Sequence, residues 1–128
     1  MLKKLTTAFG GVSDPTRVRL LSLLLHRDEI CVCDLVDATG LTQTNVSRHL
    51  ATLRNAGLIQ SRKEGLWVYY SIKQPESDLE RSIIKTVKSA AEESRELKKD
   101  LEKLKVTHCA INPKPLSISL PKRVVTRK

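Results

Sequence analysis

Apolar residues recur every three or four positions through most of this chain, give way once to a short β-favouring pattern, and then return to helical spacing. Leu2, Leu5 and Phe9 predict a short amphipathic helix ended by Gly10-Gly11. In SDPTRVRLLSLLLHRDE, Ser13 or Asp14 serves as a helix cap and Pro15 fits the first turn, where a missing N–H costs no bond. Val18, Leu21, Leu24 and Leu25 then carry an apolar face to about His26. In ICVCDLVDATG, Cys33 or Asp34 starts a third helix, Leu35 and Ala38 face inward, and Gly40 is placed as a left-handed cap. LTQTNVSRHLATLRNAGL follows, with Thr42 as N-cap, Val46, Leu50 and Leu53 on one face, and Gly57 as the stop. Two helices joined by a turn around Gly40 and Leu41 make a helix-turn-helix.

LIQSR and WVYYSI, separated by KEGL, read as a β-hairpin, which after a helix-turn-helix is the wing of a winged-helix domain. From Pro75, Leu79, Ile83, Val87, Ala90, Ser94, Leu97, Leu101 and Leu104 alternate in steps of three and four. A seam that long predicts one continuous helix packing on a second copy of itself, hence a homodimer. The expected fold is mainly α with a small β-hairpin: a winged helix-turn-helix domain with N- and C-terminal dimerisation helices.

Length and composition add to this outline. The 128 residues predict one domain over residues 1–105 and a basic, proline-containing tail over 106–128, with three of the five prolines, five basic residues and no acidic one. Aromatics at 3% leave the core to leucine, valine and isoleucine. A formal net charge of +9 is the footprint of a polyanionic partner, with nucleic acid the first candidate. No stretch resembles a signal peptide or a membrane span, so the expectation is a cytoplasmic protein with no membrane partner. In that reducing setting Cys31, Cys33 and Cys109 are buried thiols, ligands or redox sensors rather than a disulfide framework. Nothing predicts an enzyme or a catalytic cofactor: there is no glycine-rich phosphate loop or nucleophile elbow, and His26, His49 and His108 lack a visible partner acid.

With Val46, Leu50 and Leu53 inward, Gln43, Thr44, Asn45, Ser47 and Arg48 face outward at the amino end of the second helix of the pair. That end enters the major groove in such proteins, where Gln and Asn pair with adenine, Arg with guanine, and Ser or Thr with phosphate or a thymine methyl. His49 is either a further DNA contact or an interhelical hydrogen-bonding residue. Arg62 and Lys63 on the wing are phosphate contacts. A dimer repeats this surface about a two-fold axis, so the partner is double-stranded operator DNA with an imperfect palindrome, half-sites about 34 Å apart.

DPTRVRLLSLL, EICVCDL, TQTNVSRHLATLRNAGLI and KEGLWVYYSI together resemble the ArsR/SmtB family of winged-helix, metal- or metalloid-responsive transcriptional repressors, over about Ser13 to Ile72. The resemblance implies a homodimer that holds its operator when ion-free and leaves when a thiophilic ion binds. Cys31 and Cys33 match the CVCDL positions associated with As(III) or Sb(III) as inducer, and in a related branch with cadmium or lead. A redox-responsive repressor using the same thiols is a further alternative. Val36 stands where many arsenic sensors carry a third cysteine. The third thiolate is then Cys109, from the same chain or the partner, or the site is two-coordinate with a small third ligand. Leu66 stands at a wing position often basic in the family, which implies weaker phosphate contacts there. Asp78 to Lys105 contains no histidine, which argues against the zinc site of other members, and His108 beside Cys109 leaves a mixed site open.

On a regular helix, residues i and i+2 point about 200° apart, so two thiols so spaced cannot grip one ion. The expectation is that ion binding unwinds the start of that helix and thereby displaces Gln43 to Arg48. The helix N-terminus is expected to lower the thiol pKa values, opposed by the charge of Asp34.

Overall fold

A computed structural model describes residues 1–106, so the expectations placed on Cys109, His108 and the basic tail lie outside the described residues. The elements run α1 (Leu2–Gly11), α2 (Pro15–Leu24), β1 (Ile30–Cys31), α3 (Val32–Thr39), α4 (Gln43–Asn55), β2 (Ile59–Glu64), β3 (Trp67–Ile72), α5 (Asp78–Glu93) and α6 (Arg95–Val106). Local chemistry sets most of these boundaries. The Asp14 carboxylate accepts the Thr16 N–H at 2.8 Å ahead of Pro15, and Thr42 Oγ1 accepts the Asn45 N–H at 3.2 Å ahead of α4. Gly40 ends α3 at φ +76°, a left-handed conformation open to glycine at no steric cost, and the chain turns there into α4.

The core is aliphatic, built on Leu20, Leu21, Leu23 and Leu24 of α2 with Leu35 of α3 and Val46, Leu50 and Leu53 of α4. Helices α3 and α4 followed by the β2–β3 hairpin give the winged helix-turn-helix order. Gly65 turns the wing at φ +63°, and Leu66 beside it is 96% exposed.

Three features depart from the sequence expectation. The sheet has three strands in the order β1-β3-β2, because Ile30 and Cys31 pair antiparallel with Tyr70 and Tyr69. Two residues are too short to display any alternation, and their strand exists only because β3 has an open edge. As a result α3 starts at Val32, and Cys31 stands outside it as an extended N-cap residue at φ −80°, ψ 158°. The helix expected from Pro75 begins at Asp78, behind Ser77, whose hydroxyl accepts the Glu80 N–H.

The third departure concerns the seam. Ser94 breaks it at φ −86°, ψ 125°, and its hydroxyl accepts the Leu97 N–H at 3.2 Å, so the residue read as a seam position is the cap of a separate helix. Helix α6 then turns back against α2 and α3 of its own chain. Leu97 and Leu104 are buried there, and Asp100, 3% exposed, receives two bonds from Arg19 at 2.8 and 2.9 Å. Arg19 also donates to the Thr39 carbonyl at the end of α3, and Arg27 donates to the carbonyl of Leu104. The hydrogen-bonded Asp100 carboxylate raises the pKa of the Arg19 guanidinium.

Candidate metal centre and nucleic-acid interface

Because Cys31 is extended and Cys33 lies in the first turn of α3, the helical 200° divergence does not apply to them. Their Sγ atoms are 3.2 Å apart. This corrects the expectation that the helix must unwind before both sulfurs can meet one ion: the break between strand and helix already brings them together. Asp34 joins them, and one ligand atom from each of Cys31, Cys33 and Asp34 lies within 4.8 Å of the others. Arg27 approaches the Asp34 carboxylate at 3.9 Å. The donor set is two soft sulfurs and one hard oxygen, and Asp34 as a donor was not among the sequence candidates. A Cys-x-Cys-Asp run read as the end of a strand, rather than as a helix, would have signalled it.

The helix terminus does not lower the Cys31 thiol. Burial pushes its pKa up to about 11, outweighing the backbone N–H groups of Asp34 and Cys33 that lower it, while the Asp34 charge raises it further.

Cys31 faces Tyr69 in the sheet, which ties it to the wing. A second tie comes from Glu29, whose carboxylate receives two bonds from Arg62 at 2.8 and 2.9 Å. Arg62 also pairs with Glu64 and lies over the Tyr69 ring at 4.9 Å. The two carboxylates, Glu29 first, raise the pKa of its guanidinium. Arg62, read from the sequence as a phosphate contact, is thus engaged by Glu29 and Glu64 within the protein and links β2 to the segment before Cys31. Lys63 next to it is exposed.

On α4, Gln43, Thr44 and Arg48 are exposed, and Asn45 and Ser47 are half-buried. The Asn45 side-chain Oδ1 accepts from Arg48, which orients both side chains along one face. His49 instead points inward at 6% exposure, with its Nδ1 3.0 Å from Arg17 Nη1. Arginine can only donate, so Nδ1 accepts and the ring is neutral. Burial, with Arg48 and Arg17 nearby, lowers the His49 pKa against the opposing pull of Asp14. Of its two sequence readings, the interhelical hydrogen bond describes where it lies. Arg17 was not singled out from sequence; it joins α4 to α1 by further bonds to the Gly10 and Gly11 carbonyls.

Among the described residues no helix is long and apolar enough to cross a membrane. A family model described as bacterial regulatory protein, arsR family, matches residues 14–61. Over 64 residues the chain is 45% identical to the arsenic resistance transcriptional regulator ArsR1 of Pseudomonas putida, covering 50% of each protein. It is 38% identical over 85 residues to an uncharacterized HTH-type transcriptional regulator of Methanocaldococcus jannaschii, covering 66% of this chain and 92% of that one. The cadmium resistance transcriptional regulatory protein CadC of Listeria innocua is 39% identical over 65 residues, 51% of this chain and 55% of its own. The chain thus spans about half the length of the arsenic- and cadmium-resistance relatives. A homodimeric winged helix-turn-helix DNA-binding domain from Mycobacterium bovis, solved by NMR and described as a possible ArsR-family transcriptional regulator, superposes with a TM-score of 0.60 at 29% identity. That match covers 72% of this chain and 82% of that one. The chain belongs to the ArsR family of bacterial regulatory proteins.

Proposed function

We propose that the protein is a homodimeric transcriptional repressor that leaves its operator when As(III) or Sb(III) bridges Cys31 and Cys33. The observation that carries this reading is the 3.2 Å separation of the two sulfurs. With ion–sulfur bonds of about 2.3 Å, that separation closes an angle of about 90° at the ion, the corner of a lone-pair pyramid rather than the tetrahedral angle of about 109°. The names of the arsenic-resistance relatives support it. DNA is contacted by Gln43, Thr44, Asn45, Ser47 and Arg48 in the major groove and by Lys63 on the backbone. Dimerisation is supported by the exposed Leu2 and Phe9 on α1, which packs on α5, and by the homodimeric structural relative.

The bridge acts across two elements at once. Cys31 belongs to the strand paired with the wing, and Cys33 to the helix whose Leu35 and Ala38 are buried in the core shared with α4. An ion drawn into the pair shifts wing and reading helix relative to one another. A coupling of about 1 to 3 kcal/mol would weaken DNA binding 5- to 150-fold.

The test uses reduced full-length protein and a duplex selected by it from a random pool, followed by fluorescence anisotropy. Binding should weaken steeply with salt, and arsenite should release the duplex. An arsenite-insensitive complex would sink the sensor assignment.

A second reading, a cadmium- or lead-responsive repressor, is favoured by one observation, the Asp34 oxygen beside the two sulfurs. Proton balance separates the two. At Cys31, whose thiol burial keeps protonated, the thiol proton leaves with an arsenous acid hydroxide as water, so that As–S bond should add no pH dependence between pH 6 and 8. A divalent cation must expel the Cys31 proton, held up to about pH 11, and should tighten by at least about tenfold per pH unit. Isothermal titrations of both ions in this range check the prediction, and a stronger response to cadmium at pH 7 favours the second reading.

A further inference from the structure

The Arg17 guanidinium of α2 reaches two other helices at once. Its Nε donates to the Gly11 carbonyl at 2.9 Å and its Nη2 to the Gly10 carbonyl at 3.2 Å, both at the carboxyl end of α1, while its Nη1 donates to His49 Nδ1 of α4 at 3.0 Å. Carbonyls at a helix C-terminus lack an intrahelical partner and carry partial negative charge, so they hold a cation well. The same end of α1 lies close against the end of α4: a Cβ on Gly11 would stand 3.0 Å from the Cβ of Ala56, the residue that caps α4. Val46, Leu50 and Leu53 fix which face of α4 is buried. Their contact is non-directional and tolerates a small turn of the helix about its axis, whereas a hydrogen bond from a clamped guanidinium does not.

We infer that Arg17 is a positioning residue for DNA reading, which holds α4 at one rotation about its axis through neutral His49 and refers that rotation to the end of α1. The inference deepens the DNA-reading part of the proposed function and is independent of the thiols. Arg48, the chain neighbour of His49, is exposed and bonded to Asn45 on the reading face. A turn of α4 that releases His49 therefore carries Arg48 and Asn45 across the groove. Since α1 also bears the exposed Leu2 and Phe9 assigned to the dimer contact, the relay gives the two reading helices of a dimer a common reference.

The relay works in one protonation state. Nδ1 must accept, and a protonated ring would instead turn a second donor and a second positive charge toward the guanidinium. The charged groups facing the ring are Asp14 and Arg17 of α2 and Arg48 of α4 itself. Burial lowers the His49 pKa below the ordinary 6.5, with Arg48 and Arg17 adding to the effect and Asp14 opposing it. The relay is thus complete at neutral pH and is lost as the pH falls through that lowered value. A histidine that touched phosphate would show the opposite sign, because gaining a proton there strengthens binding.

The experiment uses the full-length chain and a duplex selected by it from a random pool. Anisotropy is read from pH 7.5 to one unit below the pKa of the free His49 ring, located by NMR, for the wild type and for His49→Asn. The Asn Oδ1 keeps an acceptor at the place of Nδ1 and takes up no proton. His26 and His108 are common to both proteins, so their titration cancels in the ratio. Over this range the wild-type affinity should fall about three- to tenfold relative to His49→Asn, as one proton allows. By linkage the ring should titrate at lower pH in the DNA complex than in the free protein. Arg17→Met should weaken binding about tenfold at pH 7.5, the effect of losing one charge-assisted bond, and adding His49→Leu should weaken it no further. If a variant does not fold, the two ring titrations of the wild type decide. A flat ratio overturns the relay, and so does one that rises as the pH falls, which would make His49 a phosphate contact. Identical ring titrations with and without DNA overturn it as well. A wild type that binds no duplex at pH 7.5 overturns the DNA reading on which the relay rests.

Discussion

In Cys33→Ser protein, arsenite at concentrations that empty the wild-type complex leaves the DNA bound, and the 5- to 150-fold release factor falls to about one. Serine keeps the size of the side chain and its place in the first turn of α3, but its oxygen offers a hard donor in place of a soft one. Cys31→Ser should abolish the response equally. It carries an added cost of about 1 kcal/mol in stability, because Cys31 is only 6% exposed and a hydroxyl there needs a hydrogen-bond partner. The double variant should behave like either single one, since one bridge has been removed in all three. Asp34→Asn is the informative companion. It leaves arsenite release intact if the ion is bound by the sulfurs, and weakens cadmium binding if the carboxylate is a ligand. Retained release in Cys33→Ser would place the sensing chemistry elsewhere in the chain.

Asp100→Ala should destabilise the fold by about 2 to 3 kcal/mol in urea denaturation, the largest stability effect expected from a single polar residue here. Asp100 receives both bonds from Arg19 at the junction of α6 with α2, and its removal leaves a half-buried guanidinium whose one remaining hydrogen-bond acceptor among the described residues is the Thr39 carbonyl. The figure is set below the range for fully buried pairs because the Arg19 side chain is still 18% exposed. The double variant Arg19→Met with Asp100→Leu should recover most of the loss, since matched apolar residues can replace a buried pair at little net cost. The double-mutant cycle gives the coupling directly. If Asp100→Ala unfolds like the wild type, α6 is not held to its own chain by this contact, and the continuous seam read from the sequence regains its claim.

Why that seam misled is a matter of which interactions pattern can report. Leu79 to Leu104 keep their three-four spacing straight through Ser94, so periodicity alone cannot distinguish one long helix from two shorter ones. Ser94 is compatible with a seam and is also a good cap, and the choice depends on whether Asp100 finds Arg19, 81 residues away. His49 and Arg62 follow the same logic. Both are polar residues beside expected DNA contacts, and both are engaged by groups remote in sequence, Arg17 and Glu29.

Features governed by near neighbours were readable from the residues alone. Asp14 with Pro15, Thr42, Gly40 and Gly57 punctuate the helices through bonds and backbone angles that span a few residues, so the helix-turn-helix, the wing hairpin and the aliphatic core are legible in the linear order. The identity of the sulfur pair was legible too, but its geometry was not. Whether Cys31 and Cys33 diverge or converge depends on β1, and β1 depends on the edge offered by β3 nearly forty residues later. Short-range rules decide which residues are helical. Long-range pairing, whose free energy is realised only once the chain has closed on itself, decided that the two sulfurs meet before any ion arrives.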